Sequence, residues 1–548
     1  MTTLHDPLHA ASHPESMWTT TNAGEAIPGV ATPLTFTFWA EATEQGVRGT
    51  FHSFGALLRR RDTAMPDQVE ERLLNPFYGR GALRVDFLAL MGDRMPGSNG
   101  AGIAEHIFAA KFPSSFVSRP RPWFYPVVAI KLPITMATGP RRMRRGRTLT
   151  QRFWDEQIPA MATASTPQAQ ACFAQARERF GRNVYLAAMG LFAVVQPVYE
   201  QLDKLVDAAG PTTDKQAVMA GYGSHEETAM LADLWACSRD RLPMKTFLAR
   251  HGYHGPNEGQ MSSLAWREDP APVERLLRAY RATPDDADPT TADSRRIAAR
   301  TAAERGLLAG LAGPRRLLAR AVLGLAERRL PLRAVAKTAF LQSLDVARAA
   351  ARRLGVTLSE EGHLDDPDDV FFLTADEICA GDWTGKRAEI AFRRARYQEY
   401  LRYDLPNSWV GMPDPLIVTA EPAPGEGLPV APGGELPVLH GVAASHGTVE
   451  GRARVVLDPA DTDLEPDEIL IAHYTDPSWA SILFLASALV IDIGGKLSHA
   501  AVVSRELGVP CVADTRTGTR SIRTGDLIRV DGTAGTVTVL ERALEPTP

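Results

Sequence analysis

The stretch from Ala488 to Pro510 constrains the fold more than any other part of the chain. Ala488-Leu489-Val490-Ile491-Asp492 reads as a short buried strand, an apolar run of the length strands favour. Gly494-Gly495 follows as a turn, and Ser498-His499 then stands at the mouth of a predicted helix. A helix mouth presents unpaired backbone N–H groups and a partial positive charge, so it favours phosphate. Imidazole is largely neutral near pH 7 and can attack as a nucleophile. A histidine after two glycines, taken alone, reads as a structural residue at a helix start. In this setting the expectation is a histidine that carries a phosphoryl group. Gly494 and Gly495 would allow a tight turn and close phosphate approach, and Ser498 reads as the helix N-cap, its hydroxyl within reach of the phosphate. Arg505, nearly two turns further on, reads as a structural or docking residue rather than a phosphate ligand.

The Pro/Gly-rich run Glu421-Pro422-Ala423-Pro424-Gly425-Glu426-Gly427 to Pro432-Gly433-Gly434 marks a boundary, because such composition neither continues a helix nor builds a core. Its prolines make it a semi-rigid spacer. After it, β-type runs such as Ala453–Val456, Glu468–Ala472 and Thr536–Val539 alternate with turns, as in a compact α/β domain. Before it, Ala-, Leu- and Arg-rich segments such as Ala298–Leu311 and Ala334–Leu354 show helical periodicity, read as core packing. The N-terminal part mixes β-type segments (Leu34–Trp39, Trp123–Lys131) with turns and shorter helices. The expected architecture is multidomain: a large, mostly helical domain over 1–420 with an N-terminal mixed α/β part, a linker at 421–437, a compact α/β domain at 438–541 and a tail at 542–548.

A formal net charge of −5 gives no argument for nucleic-acid binding. The four cysteines show neither metal-ligand spacing nor a disulfide framework, the N-terminus has no signal-peptide apolar core, and no apolar run approaches the ~20 residues of a membrane span. A cytoplasmic protein without a membrane role or a metal site is expected. Gly381-Asp382-Trp383-Thr384-Gly385-Lys386-Arg387 fails as a Walker A motif, and Gly100-Ala101-Gly102 lacks a βαβ frame. His225-Glu226-Glu227 is followed by alanine at 229, so it is not a zinc-protease motif, and His251 with His254 makes a poor metal site. Arg141-Arg142-Met143-Arg144-Arg145-Gly146-Arg147 reads as a solvated face, or more sharply as a docking site for an acidic partner.

From Gly441 to Val539 the chain resembles the phosphohistidine (swivelling) domain of phosphoenolpyruvate synthase, pyruvate phosphate dikinase and rifampin phosphotransferase. The likeness rests on Gly494–Pro510, on Ala444–Val455, on Tyr474-Thr475-Asp476-Pro477-Ser478-Trp479 and on Gly525–Gly532. More loosely, Trp18–Thr35, Asp93–Gly97, Gly252–Glu258, Trp266–Pro270 and Asp365–Thr374 resemble the acceptor region of rifampin phosphotransferase. The resemblance implies that His499 is the phosphocarrier, through Nε2, and that Thr475 helps position it. It also implies that Arg333 and Lys337, four apart on one helix face, help hold the transferred phosphate. His254 and Glu258, in a Gly/Pro-bounded loop, are candidates to take the acceptor's proton.

No ATP-grasp domain of that family is legible in these residues. The chain is therefore similar to the histidine-bearing subunit of two-component phosphotransferases acting on phenol or alkylphenols such as 4-cresol. The resemblance implies a separate ATP-grasp subunit holding ATP and Mg2+, a swing of the histidine domain about the linker, and a small aromatic hydroxyl compound as acceptor. The alternatives are a phosphotransferase for another hydroxylated compound, such as a rifamycin-like antibiotic, and a non-enzymatic phosphohistidine regulatory protein.

Overall fold

A computed structural model describes residues 4–102, 112, 116–210, 215–219, 222, 225–285, 288–417, 436–457, 464–465, 467–475, 479–495 and 498–543. Of the expected linker, only 436–437 fall among them. The chain forms two compact units, one from Met1–Gln196, Asn257–Ser263 and Leu332–Thr419, the other from Pro197–Pro256, Leu264–Pro331 and Ala420–Pro548. It is mostly helical, with an α/β sheet domain at the C-terminal end, as the sequence led us to expect.

The first unit rests on long helices. Thr32 caps the helix Pro33–Phe54 by accepting the Thr35 N–H, and Pro33 sits at the first helical position, where its missing N–H costs nothing. The β-type readings of Leu34–Trp39 and Trp123–Lys131 are corrected here. The first segment lies in Pro33–Phe54, and the second runs from a short 3-10 turn into Tyr125–Met161. Aromatic and β-branched residues suggested strands, but in the first segment packing overrides that propensity, the rings of Phe38 and Trp39 each lying 4.8 Å from Phe180 on the helix Thr166–Met189, and in the second Pro126 sits in the opening turn of the helix. A small antiparallel sheet adds the mixed N-terminal part. Its strands are β1 (Met17–Thr19), β2 (Leu74–Phe77), β3 (Arg80–Arg84) and β4 (Ser408–Val410), in the order β2-β3-β1-β4.

The helix Leu332–Glu360 buries apolar residues all round, and so fits the core-packing reading of 334–354. It also buries a polar seam at every third residue, Gln342, Asp345 and Arg348. Asp345 accepts the Trp154 indole N–H at 2.8 Å, and its carboxylate lies 3.5 Å from Arg348. By contrast, the helix Pro289–Gly310 in the second unit fits the core-packing reading of 298–311 only along a narrow face, where Leu307 and the capping Leu311 enter a core cluster and Ala303 and Leu308 pack against it.

Near the end of the first unit, Thr374 and Glu377 form a capping box for the short helix Ala375–Ala380. Burial alone would raise the Glu377 pKa, but Arg393 grips the carboxylate with two bonds, at 2.7 and 2.9 Å, and the Thr374 N–H and Lys386 add to it. The result is a pKa lowered from 4.5 to about 2. The folded value is depressed, so the stabilisation is fully present above pH 4.5 and is lost as the pH falls towards 2. Glu377→Gln is expected to lower stability near pH 7 by about 3 kcal/mol. The gap from the native protein should close on acidification, which urea midpoints measured across that range would show.

The second unit centres on an eight-stranded sheet. Its strands are β5 (Val438–His440), β6 (Val442–Ser445), β7 (Thr448–Val456), β8 (Ile469–Ala472), β9 (Ala488–Ile491), β10 (Cys511–Ala513), β11 (Leu527–Asp531) and β12 (Thr536–Glu541). They run in the order β5-β12-β11-β7-β8-β9-β10-β6, parallel from β7 to β10 and antiparallel elsewhere. Strands β8 and β9 are buried at every residue because both faces of the sheet are covered. Alternation divides their side chains. Ile469, Ile471, Ala488 and Val490 pack with Val512, Ile528 and Val530 on one face. Leu470, Ala472, Leu489 and Ile491 join a larger cluster on the other, with Trp479, Ala500, Ala501 and Val503 and with Trp235, Phe247, Trp266 and Tyr280.

Tyr280 is the polar pin of that second cluster. Its hydroxyl donates to the Ser481 carbonyl at 3.0 Å, its ring stacks on Phe484 at 5.5 Å, and full burial pushes its pKa well above the ordinary value. Tyr280→Phe removes only the hydroxyl. It is expected to cost about 1–2 kcal/mol and to speed amide exchange around Ser481, a combination that deuterium exchange with denaturant titration would measure.

All four cysteines are free. Cys172, Cys237 and Cys511 are buried, and Cys379 is partly exposed. Burial pushes the Cys172 thiol up to about 11 and the Cys511 thiol up to about 12.

Candidate functional site

The site grows from the C-terminal end of β9. The chain leaves the sheet at Asp492, whose backbone N–H still bonds the Ala472 carbonyl, and Ile493 bonds the carbonyl of His473. The Asp492 carboxylate is buried. It accepts hydrogen bonds from Thr515 Oγ1 at 2.8 Å and from the Thr519 N–H at 3.1 Å, together with the Gly518 N–H and the Thr519 hydroxyl. His473 Nδ1 lies 3.6 Å away. Burial would raise the Asp492 pKa, but His473 and the two threonine hydroxyls together hold it below the usual value.

The turn then brings in Gly494 and Gly495. A side chain at 494 would place its first carbon 2.9 Å from Ser498 Oγ, so the close approach itself demands glycine. The Gly495 carbonyl accepts the Ser498 N–H at 3.1 Å. Ser498 caps the helix His499–Leu507, its hydroxyl accepting the Ala501 N–H at 3.4 Å, as its position in the sequence implied. Gly508, at φ 72, closes the far end in the left-handed conformation. His499 is thus the first residue of a nine-residue helix.

His499 is 8% exposed, and Thr475, from the loop after β8, lies beside it. Thr475 Oγ1 is 3.2 Å from His499 Nδ1. In the tautomer with the proton on Nδ1, that N–H donates to the threonine and Nε2 carries the lone pair. The structure therefore brings together five of the nine candidates: His499, Thr475, Gly494, Gly495 and Ser498. Arg505 donates to the Ala501 carbonyl at 2.6 Å and to the Tyr199 hydroxyl at 2.8 Å, in keeping with the structural alternative.

The remaining four candidates fall in different units. His254 is buried in the second unit, its ring 4.3 Å from Tyr253 and 5.4 Å from Trp266. His251, just before it, bonds Asp233 at 2.9 Å, and burial lowers its pKa despite that carboxylate. Glu258, Arg333 and Lys337 belong to the first unit. Glu258 is buried, Arg333 is exposed and Lys337 is half-buried on the 332–360 helix.

Sequence reading missed the residues that hold the Glu258 loop. Arg348 donates to the Glu258 carbonyl at 2.8 Å and the Gln260 carbonyl at 3.1 Å, while Arg352 reaches those of Ser262 and Ser263. Polar residues spaced by three inside the alanine-rich helix were the available signal. Among the described residues, no group of three or more His, Cys, Asp or Glu side chains is arranged to hold a metal ion.

Two family models match. Residues 464–535 match the mobile domain of PEP-utilising enzymes, and residues 193–333 match the fourth domain of rifampicin phosphotransferase. An uncharacterised protein of Mycobacterium tuberculosis is 34% identical over 302 residues, 54% of this chain and 31% of that protein. A rifampicin phosphotransferase from a Streptomyces species is 38% identical over 207 residues, 37% of this chain and 23% of that enzyme. The rifampicin phosphotransferase of Bacillus subtilis is 35% identical over 183 residues, 33% of this chain and 20% of that enzyme. The chain thus spans about a third or less of these curated relatives. It is related to rifampicin phosphotransferases and to PEP-utilising enzymes over those segments.

Proposed function

We propose that this chain is a phosphotransferase component in which His499 carries a phosphoryl group from an ATP-binding partner to a hydroxyl of a small aromatic acceptor. The observation that supports it most is the pairing of His499 Nδ1 with Thr475 at a capped helix start, inside the segment that matches a mobile domain.

The chemistry follows from that pairing. With Nδ1–H committed to Thr475, the Nε2 lone pair attacks a phosphorus of ATP bound on the partner, a P–N bond forms and the P–O bond to the departing nucleotide breaks, the oxygen leaving with that nucleotide. The helix mouth favours the charge that the histidine then bears. In the second step the acceptor oxygen attacks the same phosphorus, the P–N bond breaks and the hydroxyl proton passes to a base, for which His254 and Glu258 are the candidates. Arg333 and Lys337 would offset the negative charge on the transferring group. A swing of the histidine domain about 421–437, releasing the packing of its sheet against Trp235, Phe247, Trp266 and Tyr280, would join the two steps. Mg2+ would enter with ATP on the ATP-grasp partner.

Phenol or an alkylphenol such as 4-cresol is the proposed acceptor, since a phenolic hydroxyl loses its proton more readily than an alkyl alcohol. The test combines the chain, a candidate ATP-grasp subunit and radiolabelled ATP. Acid-labile label on His499 that is chased into aryl phosphate by 4-cresol would support the whole reading. Label that forms but is released only to another hydroxyl compound would overturn the phenol assignment alone. An unlabelled chain in the presence of a partner competent to hydrolyse ATP would overturn the carrier role.

A further inference from the structure

Between Phe116 and Trp154 the sequence holds nine lysines and arginines and no aspartate or glutamate, although the whole chain carries a formal net charge of −5. The structure places most of this stretch on one helix, Tyr125–Met161, preceded by the turn Pro122–Phe124. That helix buries Val128, Thr135, Gly139 and Met143 along one side. In line with the opposite side runs an exposed apolar row: Trp123 in the preceding turn is 90% exposed, Ile130, about two turns on, 66%, and Ile134, one turn further, 59%. Exposed arginines close the row at both ends, Arg119 and Arg121 before it and Arg141, Arg144 and Arg145 after it on the same stripe.

An apolar row of this kind calls for a partner, and its charged ends restrict which one. A second copy laid antiparallel would bring Arg141, Arg144 and Arg145 against Arg119 and Arg121 of its mate, which is repulsive. A nucleic acid would satisfy the arginines but leave tryptophan and isoleucine in water. An anionic bilayer answers both demands. Tryptophan settles at headgroup level, the apolar row enters the acyl boundary and arginines meet lipid phosphates. We propose that the exposed side of residues 119–145 docks on an anionic phospholipid surface. Among the described residues no helix is long and apolar enough to cross a membrane, so the contact is peripheral. The inference is independent of the phosphotransfer reading.

Co-sedimentation of the full chain with vesicles tests it. One set contains phosphatidylcholine with phosphatidylglycerol as the minority lipid, the other phosphatidylcholine alone. Binding is expected only to the first, weakening as salt rises. The triple variant Arg141→Gln, Arg144→Gln, Arg145→Gln should bind roughly 100-fold more weakly and with a flatter salt dependence. Trp123→Ala should bind about 10-fold more weakly with the salt dependence kept. These side chains are exposed, so melting temperatures should not move. The proposal is overturned if phosphatidylglycerol vesicles are not bound, if both vesicle types bind equally, or if the triple variant binds like the native chain. In the first case the row would be left to an acidic protein surface, which the same three arginines would then serve.

Discussion

Replacing His499 by glutamine is expected to lower phosphoryl transfer by at least about a thousandfold while leaving the fold intact. Glutamine has similar bulk and keeps a hydrogen-bonding group near Thr475, but it has no ring nitrogen that can carry phosphate. Losing the 3.2 Å contact to Thr475 should cost only about 1 kcal/mol of stability. The helix start itself depends on Ser498 rather than on position 499. Two readings check the result: label incorporated from ATP in the presence of the partner, and the denaturation midpoint. A variant that still takes up label at the native rate would remove His499 from the mechanism. One that loses label only because it unfolds would show in the midpoint.

Asp492→Ala should be the most destabilising single change near the site, by about 3 kcal/mol at neutral pH. The carboxylate gathers the ends of two segments, His473 after β8 and the turn Thr515–Thr519 after β10. That turn is strained, with Asp514 at φ 56 and Arg516 at φ 66, and the Asp492 carboxylate holds it together with the Ile491 and Asp492 backbone carbonyls. Removing the acceptor leaves buried donors unsatisfied and frees the turn beside the Gly494-Gly495 exit. The folded pKa of Asp492 lies below the ordinary value, so its stabilisation is present above about pH 3.9 and is lost as the pH falls through the folded value. Unfolding titrations of the native chain and the alanine variant should therefore differ strongly at pH 7, with the gap narrowing as the pH falls through the folded value. Transfer activity should fall too, because His499 follows the same turn.

The readability of these parts from sequence varied for physical reasons. Ala488–Asp492, the glycine pair and the Ser498 cap were legible because each is a local signal: an apolar run, a turn residue, a short polar side chain before a helix. The Thr475–His499 contact was reached only through family likeness, since 24 positions separate the two residues and spacing says nothing at that range. The strand reading at Leu34–Trp39 failed because side-chain propensity is weak against a proline-led cap and aromatic packing between helices, and the one at Trp123–Lys131 failed where Pro126 opens a long helix that buries Val128. The seam of Gln342, Asp345 and Arg348 was passed over for a related reason. Polar residues on an alanine-rich helix look like a solvated face until the neighbours that bury them are known.

The burial of the cysteines has a practical consequence for watching this protein at work. The Cys511 thiol lies in β10, paired with Leu489 of β9, the strand that leads into the histidine turn. Held at about 12, it is almost entirely in the unreactive thiol form at neutral pH, and burial bars reagents as well. Cys379, partly exposed, would take up an alkylating reagent first. Once that position is replaced by serine, the slow tagging of Cys511, read by peptide mass apart from that of Cys172 and Cys237, becomes a clock on how often the sheet beneath the histidine opens. It needs no foreign dye and no change to the site it reports on.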